Sequence, residues 1–254
     1  MISRRTLGVS VFLLAAGCGT PFPERIQLLS NEELYRAALS EFGERDWDNA
    51  ILAFEQLSFK LPARDTLLSR TYWYLARSHE AREEHLLAAQ TFSRLTESFP
   101  NDSLADDALL AAGRAYAALW SSPSLDAGYA QSAISTFQTL PAIYPNSDLR
   151  DEAEAEVRHL LEWLATKDYE TGLHYLRRKA YDSAIIYFQD VIERYPNTPV
   201  VRDAYMRLVD AYRAINYRED AAEACRALRR AYPDDREARE LCGDVPETVA
   251  SPGP

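Results

Sequence analysis

Apolar residues recur through the chain in two alternating patterns of helical spacing. In the first, an alanine is followed by a large apolar residue or cysteine four positions later and by leucine or valine after three more. These positions share one face of an α-helix, so the pattern predicts a helix with one buried face. A proline twelve positions after the alanine ends that helix, because it lacks an N–H and disfavours the α conformation before it. The pattern occurs five times, at Ala50/Phe54/Leu57/Pro62, Ala88/Phe92/Leu95/Pro100, Ala133/Phe137/Leu140/Pro145, Ala184/Phe188/Val191/Pro196 and Ala221/Cys225/Leu228/Pro233.

The second pattern is an apolar stripe upstream of each of these helices, and it predicts a partner helix for each. Small residues stand on this stripe where the two helices must approach closely, at Ala38, Ala76, Gly113 and Gly172. Asp234 and Asp235 begin a final short helix that covers the open end. The predicted helix pairs are about residues 31–64, 69–101, 104–146, 165–197 and 202–233.

The order of small residue, aromatic, alanine, phenylalanine and proline is similar to the tetratricopeptide repeat. That resemblance implies an all-α fold, a tetratricopeptide-repeat-like α-solenoid of about five helix pairs with a C-terminal capping helix, over residues 30–243. Only 9 of the 254 residues are glycine, which favours helices over strand-rich folds. The segment 147–165 lies between two units and is expected to fuse with the next helix into one long helix.

The N-terminus has the pattern of an export signal. Arg4 and Arg5 precede an apolar run of roughly ten residues, which is too short to cross a bilayer as a helix. The run ends in Leu-Ala-Ala-Gly-Cys at residues 14–18, which resembles the lipobox of bacterial lipoproteins. We therefore predict a signal peptide over residues 1–17 and a covalent lipid on Cys18. The alternative is an ordinary secretory signal with an incidental cysteine.

The segments that flank the predicted solenoid carry no periodic pattern. Residues 18–29 contain Pro21 and Pro23 and are expected to form a lipidated tether, and the proline-rich residues 244–254 a disordered tail. In bacterial lipoproteins an aspartate after the lipidated cysteine retains the protein at the inner membrane. Here that residue is Gly19, so the resemblance implies a lipid anchor at the periplasmic face of the outer membrane.

Charge and motif content exclude several classes of function. The net charge of −11 disfavours binding to nucleic acid, because both surfaces are negative. No nucleophile motif, glycine-rich phosphate loop or metal-ligand spacing occurs, so we expect no catalytic residue, no metal and no cofactor besides the lipid. His79-Glu80 begins like a zinc-protease helix, but Glu83 stands where the second histidine is required. His79 is expected to be an interior histidine.

Two cysteines lie near the C-terminal end of the predicted solenoid. Cys225 takes the place of the phenylalanine of the repeat, and Cys242 falls at the end of the capping helix. An exported protein reaches a compartment in which disulfides persist, so a Cys225–Cys242 bridge is one interpretation. The other is that Cys225 is a small core residue and both thiols are free.

The spacing of residues on the first helices also predicts a peptide-binding groove. The expected lining residues lie on the first helices of the first three units. In each helix, one residue stands one position beyond the core stripe and another stands four positions after it. These residues are expected to line the concave wall. Aromatic side chains would supply contact area, and the two arginines would pair with a carboxylate. The alternative is that these residues only pack against neighbouring units. They are Tyr35, Leu39, Trp73, Arg77, Leu110 and Arg114.

Several segments, together with the Cys18 lipobox, resemble the BamD family of lipoproteins, over about residues 18–232. They include KDYE at 167–170, RYPNT at 194–198 and Asp46-Trp47. The resemblance implies a scaffold of the outer-membrane β-barrel assembly machinery without enzymatic activity. Its implied partners are a BamA-like barrel subunit, other lipoproteins of the machinery, unfolded outer-membrane protein clients and, through the lipid, the membrane.

Two other functions remain compatible with the sequence. One is a periplasmic tetratricopeptide lipoprotein that scaffolds cell-wall synthesis or division. The other is a cell-wall enzyme with an unrecognised site, which the absence of a nucleophile or metal constellation disfavours.

Overall fold

The computed structural model describes residues 22–120, 127–243 and 245, and in these ranges it contains helices and no strand. The predicted signal peptide, Cys18, residues 121–126 of the loop in the third unit, and residues 246–254 of the tail lie outside the described residues. None of the described helices combines the length and apolar character needed to cross a membrane. The helices are α1 (Phe22–Arg25), α2 (Asn31–Glu44), α3 (Trp47–Lys60), α4 (Thr66–Ala81), α5 (His85–Ser98), α6 (Ala105–Ala118), α7 (Gly128–Ile143), α8 (Arg150–Arg177), α9 (Tyr181–Arg194), α10 (Val201–Ala214), α11 (Arg218–Ala231) and α12 (Arg236–Leu241).

Ten of these helices form five consecutive pairs, from α2/α3 to α10/α11. Each helix packs against the next in the chain, and α2 also contacts α4, as α8 contacts α10. The first helices therefore lie side by side in the first two pairs and in the last two, and α12 packs on α11 at the end of the stack. This arrangement confirms the predicted all-α solenoid with a capping helix.

The prolines of the repeat mark the end of the second helix in every pair. These helices end at residues 60, 98, 143, 194 and 231, each two positions before a proline. The starts of α2, α3, α4 and α12 are capped by side chains that accept orphan backbone N–H groups. Ser30 and Glu33 form a reciprocal capping box before α2, and Asp65 accepts from the Leu67 N–H at 2.9 Å before α4.

In the third and fourth pairs, close contact between a glycine and an aromatic ring holds the two helices together. A methyl group added at Gly113 would lie 2.4 Å from Cε1 of Phe137, and one added at Gly172 would lie 2.6 Å from Cε1 of Phe188. Both rings are fully buried, so they cannot move aside into solvent. The alanines, large apolar residues and leucines or valines of the repeat pattern are buried in all five pairs.

The N-terminal segment differs from the predicted tether. Residues 22–25 form a helical turn, and Ile26–Leu28 form a single 3₁₀ turn. Ile26 is only 1% exposed, and its carbonyl accepts a hydrogen bond from the Gln56 side chain at 3.4 Å. The tether predicted through residue 29 therefore folds onto the first pair from Phe22 onward, because Ile26 finds an apolar site there that the local sequence does not reveal.

The turn within a pair uses left-handed backbone in residues other than glycine. It occurs at Arg45, Glu83, Lys179 and Asn216, with φ between 59° and 63°. Such residues cost about 1–2 kcal/mol relative to right-handed backbone. Packing of the flanking helices must supply that energy.

The first helix of the fourth pair is twice as long as most of the others. It has 28 residues and spans about 42 Å at 1.5 Å per residue. Its N-terminal half, with Ala153, Leu160 and Leu164, belongs to the apolar cluster of the third pair. Its C-terminal half, with Tyr169 and Leu173, packs against the cluster of the last two pairs.

We expect Gly113→Ala to destabilise the fold. Alanine gains up to about 1 kcal/mol of helix propensity, but overpacking against the Phe137 ring costs about 1–3 kcal/mol. Urea unfolding followed by circular dichroism should give a net loss of free energy of unfolding. Gly43→Ala is the matched control, because a methyl group there meets nothing within 4 Å, and it should be neutral or stabilising. Equal effects of the two variants would contradict the close-contact interpretation.

Candidate binding surfaces

Aromatic side chains from the first helices of pairs 1 and 2 rest partly on the core and partly reach the surface. Tyr35 packs edge-on against Phe54, with ring centroids 6.2 Å apart. Trp73 packs in the same way against Phe92, at 5.4 Å. Tyr35, Leu39 and Trp73 are half-buried and border the core cluster of the first two pairs. Each thus leaves part of its apolar surface available to a ligand.

Two arginines lie on the same face of α4 as Trp73. Arg77 is exposed and makes an ion pair with Glu80, with 2.8 Å between Nη1 and Oε2. Arg70, seven residues earlier, is also exposed. Burial raises the pKa of the Tyr35 hydroxyl, and the positive charge of Arg70 opposes this increase. The charge of Arg70 therefore acts on Tyr35 of α2, and we group Tyr35, Arg70, Trp73 and Arg77 as one candidate surface on α2 and α4.

The sequence hypothesis missed Arg70, although a signal for it was present. Positions 70, 73 and 77 follow the spacing of three and four residues that defines a helix face. The sequence hypothesis took the residue that follows the first core-stripe residue, Tyr72, and then counted only towards the C-terminus. It therefore started at Trp73 and did not reach Arg70.

The third pair does not contribute to the surface as predicted. Leu110 is 5% exposed and belongs to the core, so its assignment to the groove is corrected. Arg114 makes ion pairs with Glu152 and Glu156 of α8, the latter with 3.1 Å from Nε to Oε1. Burial disfavours the charge of this guanidinium, but the two carboxylates outweigh that effect and raise the pKa of Arg114. Arg114 thus joins the third pair to the fourth.

The interior histidine of α4 is part of a polar link between the first two pairs. His79 is buried, and its Nδ1 lies 2.7 Å from Oε2 of Glu84. Arg82 pairs with the same carboxylate at 3.3 Å and also with Asp48 of α3. His79 is thus satisfied by a carboxylate, as expected of an interior histidine. Across the described ranges, no three His, Cys, Asp or Glu side chains come together as a metal site.

Ion pairs hold the capping helix on the last pair. Asp235 accepts the Ala238 N–H at 2.9 Å as the N-cap of α12. The Arg202 guanidinium binds both Asp235 and Glu237, with N–O distances of 2.5 Å. These hydrogen bonds, with Arg202 as the main cause, lower the pKa of Asp235 to about 2. The pattern of the sequence did not indicate this cluster.

A disulfide joins α11 to the end of the capping helix. Cys225 and Cys242 are bonded, with their Cα atoms 5.5 Å apart, and both are fully buried. Because Cys225 occupies the position that phenylalanine takes in the other pairs, the bridge fills core space that a ring fills elsewhere.

Comparison with known proteins matches the chain to one family over most of its length. The profile of the family described as "YfiO: Outer membrane lipoprotein" matches residues 28–228. A protein of Neisseria meningitidis named outer membrane protein assembly factor BamD is 26% identical over 247 residues, covering 89% of this chain and 90% of that protein. The protein of the same name from Vibrio cholerae is 25% identical, covering 89% and 97%. Among solved structures, the TPR domain of P58(IPK) is 14% identical with a TM-score of 0.45, covering 84% of this chain and 54% of that one.

Removal of the disulfide should loosen the C-terminal end of the stack. A bridge across 17 residues contributes about 3 kcal/mol in the chain-entropy account. We therefore expect a reducing agent to lower the urea midpoint of the native protein, and intact mass to rise by two hydrogens on reduction. The double variant Cys225→Ala/Cys242→Ala should unfold at the lower midpoint with or without reductant. A native protein that shows the same mass and midpoint in both conditions would contradict the bridge.

Proposed function

The chain belongs to the YfiO family of outer membrane lipoproteins, and from this premise we propose that it is a scaffold of the machinery that assembles β-barrel proteins in the outer membrane. The observation that carries this proposal is the family match over residues 28–228, which covers the first four helix pairs and ends in the last turn of the fifth. The relatives from Neisseria meningitidis and Vibrio cholerae, both named as outer membrane protein assembly factors, align with the chain over nearly their full length, which supports a shared role.

In this proposal the protein acts by binding alone. A lipid on Cys18 anchors it to the periplasmic face of the outer membrane. The stacked helices supply a long surface on which the BamA-like barrel subunit and other lipoproteins of the machinery dock. No catalytic step, metal or cofactor besides the lipid is required for this role.

The surface on α2 and α4 is our candidate for the client site. Tyr35 and Trp73 offer apolar area, and the guanidinium groups of Arg70 and Arg77 are suited to a carboxylate. The C-terminus of an unfolded outer-membrane protein could match both: its extended segment offers apolar side chains to the aromatic rings, and its free carboxylate offers a partner to the guanidinium groups. We therefore assign this surface to the C-terminal segment of an unfolded client, in place of the three-pair groove that the sequence suggested.

Co-purification tests the scaffold role. Tagged full-length protein from detergent-solubilised membranes should recover a large β-barrel protein with repeated periplasmic domains in stoichiometric amount, identified by mass spectrometry. Cys18→Ala should leave the protein unanchored and reduce that recovery. Recovery of cell-wall synthases or division proteins instead would replace the assembly role with the cell-wall scaffold.

Charge reversal tests the client surface. The probe is the C-terminal peptide of an outer-membrane β-barrel protein, prepared as the free acid and as the amide. Native protein should bind the acid about tenfold more tightly, as one charge-assisted hydrogen-bond pair implies. Arg70→Glu/Arg77→Glu should abolish that preference.

The matched control is Arg158→Glu/Arg213→Glu, which changes the net charge equally on exposed positions of α8 and α10. It should keep the preference for the acid. Equal binding of acid and amide by the native protein would exclude the surface as a carboxylate site and leave the scaffold role intact.

A further inference from the structure

Leu28 and Phe59 are the two most exposed large apolar side chains in the part of the chain that the structure describes. They are 90% and 86% exposed, and the next is Ile186 at 58%. Single exposed apolar residues are common on protein surfaces, whereas two extreme cases at one end of a molecule call for a partner. Both belong to the N-terminal end of the stack.

Leu28 and Phe59 each lie within three residues of a contact that joins the N-terminal segment to α3. Leu52, Gln56 and Phe59 follow one another along the outer face of α3 at helical spacing. The Gln56 side chain donates to the carbonyl of Ile26, and Ile26 is buried. The 3₁₀ turn that carries Leu28 therefore crosses the face of α3 that carries Leu52 and Phe59.

The number of residues between Cys18 and the 3₁₀ turn at Ile26–Leu28 limits the distance between that turn and a lipid on Cys18. Only three residues separate Cys18 from Phe22, the first residue of α1, and the four steps from Cys18 to Phe22 span at most about 14 Å when extended. Acyl chains on Cys18 would hold that residue at the bilayer surface, and each headgroup layer is about 5–8 Å thick. The turn and its exposed leucine are then kept within reach of the bilayer surface.

We infer that Leu28 and Phe59 form an apolar patch that inserts into the headgroup region of the bilayer that holds the lipid of Cys18. This inference rests on the proposed lipidation. A second contact beside the anchor fixes the orientation of the first pair relative to the membrane, whereas acyl chains alone leave that pair free to rotate.

The charges beside the patch indicate which property of the lipid matters. Arg25 and Lys60 are balanced by Glu24 and Glu55 on the same two segments, and all four are exposed. The contact therefore depends on apolar area and not on lipid charge, and it should persist at high salt.

A fluorescent label placed in the patch tests this contact. Each of the three native cysteines is occupied, Cys18 by lipid and Cys225 and Cys242 by their bridge, so Phe59→Cys supplies a single free thiol for an environment-sensitive dye. Mature protein is reconstituted in vesicles of phosphatidylethanolamine and phosphatidylglycerol with nitroxide-labelled lipid. Ile186→Cys, labelled in the same way, is the control on the outer face of α9.

We expect nitroxide lipid to quench the dye at position 59 at least about twofold more than the dye at position 186, since insertion by 5–10 Å brings a group among the headgroups. Leu28→Ser in the Phe59→Cys protein should reduce that quenching, and Leu87→Ser, an exposed apolar site on α5, should not. Equal quenching at positions 59 and 186, in protein whose intact mass includes the acyl chains, would overturn the patch and leave the lipid anchor standing. An intact mass without acyl chains would overturn the anchor itself, and with it this inference.

Discussion

The middle of the fold depends on a contact made in the third and fourth pairs, in which a glycine on the first helix receives an aromatic ring from the second. At Gly113 and Gly172 the distance to the ring leaves no space even for a methyl group. Since the ring is buried on every side, it fixes both the separation and the register of the two helices. Every surface that the stack presents to other molecules takes its shape from these fixed pairs.

Much of the architecture could be predicted because the determinants are local. Burial of a helix face follows from a period of 3.6 residues, and helix ends follow from prolines, so both are readable within a dozen residues. The burial of Ile26 and Leu110 was not readable in this way. These two side chains are covered by segments that are distant in the sequence, and the local pattern around an isolated apolar residue does not indicate which segment will cover it.

The candidate binding surface was predicted less completely than the fold. Spacing assigned Tyr35, Trp73 and Arg77 to helix faces that do reach the surface. It could not assign the partner of a charge, because the carboxylates that bind Arg114 stand 38 and 42 residues further along the chain. The cysteine pair was within reach of sequence reasoning only as one of two alternatives, since the packing of α12 on α11 decides it.

The long helix α8 makes the two halves of the stack mechanically continuous. The two ends of α8 are packed into separate apolar clusters, so a rotation of one cluster is transmitted to the other through a rigid helix. Two shorter helices joined by a turn could instead change their relative angle. A tilt of about 10° at one end of a 42 Å rod displaces the other by about 7 Å. A small reorientation of the first three pairs would thus be magnified at the C-terminal end, so that a rigid helix can relay a change of position along the stack.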